Sequence, residues 1–253
     1  MLAVLGLGPD TTSAWSAEQV LALFAERAPE GPRLGVKPLR LQQGPEPRTL
    51  VAALPESYAV ALTSLDGARP AQLAYQLAHE LFHVYSDPRC EHPLTELLAC
   101  AVSLAALDLL AARLAGAAAP LRRHAARLEE YGALVEREAR AAAQLPGKDP
   151  ERQRWARTFA MGCDERTAQL AAAALVKPLL AQRTRWTAFL LAPAAVLGGH
   201  AHSGDAPCRA VLGEDWRATV SRQRWIAQVR LSPLCAPEDE QLVASICDLF
   251  AIH

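Results

Sequence analysis

Aromatic residues are scarce in this chain. They make up 6% of its 253 residues, while the apolar fraction is 51%, so much of the core must be Ala and Leu, which favours close-packed helices. An excess of one charge is lacking too. The net charge of −1 gives no electrostatic footprint for nucleic acid and no general attraction to anionic membranes. The six cysteines (Cys90, Cys100, Cys163, Cys208, Cys235 and Cys247) form no C-x-x-C pair. That argues against a zinc ribbon and offers no disulfide framework, so reduced thiols in a cytoplasmic protein are expected. The N-terminal stretch has neither a basic leader nor a long apolar run, so no signal peptide is read there. The longest apolar tract, residues 97–121, is broken by Asp108 and Arg113. Each charge would cost about 2.5–3.5 kcal/mol near the centre of a bilayer, so a buried helix followed by a turn is expected instead of a membrane span.

What is present reads as a mainly helical α+β protein with a small N-terminal β-sheet. Strand signals fall at residues 2–7, 33–41, 49–53 and 58–65, separated by Gly/Pro-rich turns, and Tyr58 to Thr63 is the best of them. Apolar residues at helical spacing mark 16–27, with Ser16 as its N-cap. Later helices are expected near 96–115 (capped by Thr95), 121–144, 151–161, 165–176, 217–231 and 237–250. Composition shifts near residues 115–120. This suggests one domain over 1–116 and a helical region over 117–253, unless the two form a single domain.

The stretch around which this organisation turns is residues 73–85, LAYQLAHELFHVY. His79-Glu80-Leu81-Phe82-His83 follows the pattern H-E-x-x-H. On a helix, residues four apart project from one face, so two imidazoles at this spacing suit one Zn²⁺. Glu80 leans to the flank of that face, where it reaches a water beside the metal more easily than the metal itself. The surrounding residues are apolar, and a buried helix seldom carries an ionisable cluster without a use for it.

A catalytic zinc keeps three protein ligands. Glu96, thirteen residues after His83 at the start of the next helix, is the favoured third. It also suits the positive end of that helix, which is a sufficient structural role by itself. Glu91 and His92 in the intervening loop are rivals, and Asp108 further along the helix is expected to pair with an arginine or to line a cavity floor. For a donor to the developing oxyanion, His200 and His202 in a Gly-rich loop are candidates, with Tyr131 and His124 behind them.

The motif together with Glu96 resembles the active site of zincin metallopeptidases in the gluzincin arrangement, and is similar to small cytosolic bacterial proteases that cut repressors. The resemblance spans residues 58 to 109, and only H-E-x-x-H is specific. The gap from His83 to Glu96 is short for gluzincins, and no H-x-x-G-x-x-H extension exists, which excludes a metzincin. The resemblance implies Zn²⁺ held by His79, His83 and Glu96, with Glu80 as general base. It also implies an edge strand that binds peptide substrate, placed at Tyr58, Val60, Ala61 and Leu62. The expected function is zinc-dependent hydrolysis of peptide bonds in a peptide or protein substrate. The alternative is a non-catalytic zinc-stabilised scaffold that binds a protein partner through its helical C-terminal half. Neither nucleic acid nor membrane is an expected partner.

Overall fold

The computed structural model describes residues 4–5, 11–50, 56–65, 68–158, 166–181, 183–196 and 216–253. The fold is α+β and mainly helical. Its strands are β1 (Val4–Leu5), β2 (Leu39–Gln43), β3 (Arg48–Leu50) and β4 (Tyr58–Leu62), in the spatial order β1-β2-β4-β3. β1, β2 and β4 run parallel, and β3 is antiparallel to β4 with Thr49 opposite Val60. The parallel step from β1 to β2 is made through helix α1 (Thr11–Arg27), as such a crossover requires.

Four expectations from the sequence need correction here, the last of them at the start of the helix that follows the motif. Tyr58, Val60, Ala61 and Leu62 do not form an edge strand: β4 lies between β2 and β3 and is buried on both faces. Its unbroken apolar run, YAVAL, is the mark of a strand covered on two sides. The edge is β3. β2 begins at Leu39 instead of residue 33, because Gly31 and Gly35 take positive φ (72° and 86°) and turn the chain before it extends. Ser16 does not cap α1; the helix starts earlier, and the Ser16 hydroxyl is buried inside it without a hydrogen-bond partner.

Helix α2 (Pro70–Tyr85) carries the motif. Pro70 sits in its first turn, where a missing N–H costs nothing. It ends where Ser86 N–H donates to Phe82 O at 2.9 Å, just before Asp87-Pro88. The loop that follows is stiff: Asp87 accepts from Arg89 N (3.1 Å), Nε (2.9 Å) and Nη2 (2.8 Å). It leads into α3 (Pro93–Ala115), whose N-cap is His92 and not Thr95. His92 Nδ1 accepts from Leu94 N at 3.0 Å, and Thr95 Oγ1 accepts from His92 N at 3.2 Å, a reciprocal pair that satisfies two otherwise orphaned donors.

α3 is apolar on nearly every face because it is the central helix. It packs against α2, against α4 (Ala119–Ala142) and against α6 (Arg166–Ala181). By length and hydropathy it could cross a bilayer, yet 78% of its most apolar window is buried by the rest of the protein. The remaining described α-helices are α5 (Asp149–Thr158), α7 (Thr187–Leu190), α8 (Arg222–Leu231) and α9 (Pro237–Phe250), with short 3₁₀ turns at Ala192–Ala195 and Trp216–Thr219. No break in the core marks the composition shift at residues 115–120. One hydrophobic cluster runs from Phe24 and Leu81 through Leu104 to Val176, Trp225 and Phe250.

Candidate metal centre

His79 and His83 lie one turn apart on α2, and Glu96 lies in the first turn of α3, brought opposite them by the loop. His79 Nε2 is 3.2 Å from Glu96 Oε2, His83 Nε2 is 3.3 Å from Glu96 Oε1, and the two Nε2 atoms are 3.4 Å apart. A tetrahedral metal with bonds of about 2.0–2.1 Å needs donor atoms roughly 3.3–3.4 Å apart. Each of the three separations lies near that value, with His79 facing one Glu96 oxygen and His83 the other, and this triangle of three side chains is the group that could hold a metal ion among the described residues.

The electrostatics fit a cation at that point. Burial alone would raise the Glu96 carboxyl, but the charges and hydrogen bonds of His83 and His79 outweigh it and hold it far below the usual carboxylate range. Burial also works against a charged His79, but hydrogen bonds and charge from Cys100 and Glu96 overcome it and hold the imidazole well above its usual value. A divalent ion between the three side chains would supply the positive charge that Glu96 now draws from its two histidines. On the far side of the ring, His79 Nδ1 meets Cys100 Sγ at 3.8 Å, which leaves Nε2 aimed at the triangle.

Glu80, next along α2, is 3% exposed and stands outside the triangle. Its Oε2 accepts a hydrogen bond from Thr49 Oγ1 at 2.8 Å, so edge strand β3 fixes the side chain. Glu80 also lines a pocket of about 160 Å³ that opens on His79 and Glu96. Its other walls include Pro47, Tyr75, Cys100, Arg166 and Gln169.

The rival ligands have other work. His92 caps α3, hydrogen-bonds Thr219 through Nε2 at 2.9 Å, and is pushed by burial down to about 4. Asp108 does not pair with an arginine. It binds Lys177 Nζ at 2.7 Å, and Lys177 also contacts Glu136. Glu91 is outside the triangle. Of the expected oxyanion donors, His200 and His202 lie outside the described residues. Tyr131 packs edge-on against Tyr75, and His124 packs on Trp15 in a different groove.

Several site residues escaped the sequence reading. Tyr75 precedes His79 by four and Cys100 follows Glu96 by four, so helical spacing already placed both beside ligands. Thr49, Arg166 and Gln169 carry no such signal, because nothing local tells that β3 lies along α2 or that α6 packs on α3. Comparison of the chain with family models, with curated proteins and with solved structures returned no match.

Proposed function

We propose that this protein is a zinc-dependent metallopeptidase, with His79, His83 and Glu96 holding the metal and Glu80 acting as general base. The observation that carries the reading is the pair of imidazole Nε2 atoms 3.4 Å apart, each within 3.3 Å of a Glu96 carboxylate oxygen, with an independent buried carboxylate at their side. A metal bound there would polarise a scissile carbonyl and make a neighbouring water more acidic. The chain's own residues do the rest. Glu80 takes a proton from the attacking water and delivers it to the departing amine, and Thr49 holds its Oε2 in place for both transfers. α2 and α3 fix the ligands on rigid elements, and the apolar packing around them keeps bulk water away.

Substrate approaches along β3, whose outer side has no strand partner among the described residues. An extended peptide pairing with that edge would run past Pro47, at the rim of the pocket, and past the Thr49–Glu80 contact. The test is Glu80→Gln. The amide fills the same volume but accepts no proton, so peptide hydrolysis should fall by roughly 10²–10⁴-fold while one zinc per chain is kept. Loss of zinc in this variant would make Glu80 a ligand, and unchanged hydrolysis would remove it as the base.

A further inference from the structure

The pocket beside the metal triangle holds a phenol hydroxyl that meets no oxygen or nitrogen acceptor among the described residues, only the weakly accepting Cys100 sulfur. Tyr75 is 1% exposed, so the hydroxyl is buried with that poor partner alone. A buried hydroxyl left in this state is destabilising, so such a group in a concave site is best explained by a ligand that completes it. The ring is held in place by Tyr131, stacked edge-on at 6.0 Å between centroids. Burial, with the Cys100 sulfur beside it, pushes the phenol well above its usual value, so it remains an O–H donor throughout the neutral range.

Among the residues that line this pocket, Arg166 is the sole arginine or lysine. It begins α6, is exposed at the pocket mouth, and is close enough to Tyr75 to act on the phenol electrostatically. The polar groups elsewhere on the wall are already engaged. Gln76 Oε1 accepts from Thr63 N at 3.0 Å, and its Nε2 donates to Thr63 Oγ1 at 2.6 Å. One neutral donor and one cationic donor therefore face the same space, and the ligand group that satisfies both is a single anionic acceptor.

We propose that this pocket takes a carboxylate of the substrate next to the bond to be cleaved, held by the Tyr75 hydroxyl and the Arg166 guanidinium. The space suits the assignment: a cavity of about 150 Å³ accommodates a benzene-sized group, and a carboxylate on one or two methylenes is no larger. Glu80 and Glu96 at the metal end repel a more highly charged anion, which favours a monoanion over a phosphate. The carboxylate comes from an Asp or Glu side chain or from a free C-terminus. The inference rests on the metallopeptidase reading for its substrate, but binding tests it apart from hydrolysis.

The experiment is calorimetric titration of the zinc-loaded full-length protein with three matched probes. Acetyl-glutamate α-amide offers only a side-chain carboxylate, acetyl-glutamine only an α-carboxylate, and acetyl-glutamine amide neither. One of the two acids should bind at least about tenfold more tightly than the neutral amide, and which one does so names the source of the carboxylate. Tyr75→Phe and Arg166→Gln should each weaken that acid by roughly tenfold, while the neutral amide is unaffected. Equal binding of all three probes overturns the proposal. So does an acid that binds both folded variants as it binds the parent, because the metal alone would then hold it. If the acid binds as expected but no peptide is cleaved, the pocket stands and the peptidase reading fails.

Discussion

Acid should loosen the helix that carries Glu96, and the group responsible is His92. Its Nδ1 accepts from Leu94 N, which leaves Nε2 as the protonated nitrogen, donating to Thr219 Oγ1, whose own proton goes to Trp216 O at 2.6 Å. Protonating Nδ1 would break the cap, and the ring is buried. The folded-state value near 4 lies below the ordinary value of 6.5, so the unfolded chain takes up the proton first as pH falls. Stability from this residue is complete above about pH 6.5 and is lost as pH drops toward 4. The full span corresponds to about 3 kcal/mol, of which about 2 kcal/mol is gone near pH 5. Urea unfolding of parent and His92→Asn, both with chelator so that metal does not contribute, measures it. Asn is a good cap without a titration, so the parent should lose about 2 kcal/mol more than the variant between neutral pH and pH 5. The same slope in both proteins would refute the role given to His92.

Thr49→Val should leave zinc content unchanged and lower kcat about tenfold, since Glu80 loses the hydroxyl that fixes it; steady-state peptide hydrolysis beside metal analysis reads both. Asp108→Ala and Glu91→Ala should keep zinc through dialysis against a chelator concentration that the parent survives, because neither belongs to the triangle. Lys177→Met removes the cation shared by Asp108 and Glu136 and should lower urea-measured stability by about 1 kcal/mol, with metal content intact.

The site was largely legible because its parts are local. His79, Glu80 and His83 share one helical face, and Glu96 falls at the start of the next helix after a loop with a proline stop. The loop's exact end was not legible. Thr95 looks like a cap, yet His92 takes that place because its ring reaches both Leu94 N and Thr219, 127 residues away. The sheet order was hidden for the same reason. A buried apolar run such as Tyr58–Leu62 fits an edge or a centre until its neighbours are known, and only long-range pairing sets β3 outside it. Arg166 and Gln169 reach the pocket through packing of α6 on α3, which leaves no pattern in either segment alone.

Zinc content tests the central claim most directly. The protein, dialysed at neutral pH against a weak chelator, should retain one zinc per chain by elemental analysis. Glu96→Ala and His83→Ala, treated alike, should lose it while their helical circular dichroism is unchanged, since the core of α2 and α3 does not depend on the ligands. Lowering the pH of the parent should release the metal as well, because both imidazoles must be unprotonated at Nε2 to coordinate. Retention of zinc by folded Glu96→Ala, or no zinc in the parent under conditions that supply it, would contradict the account.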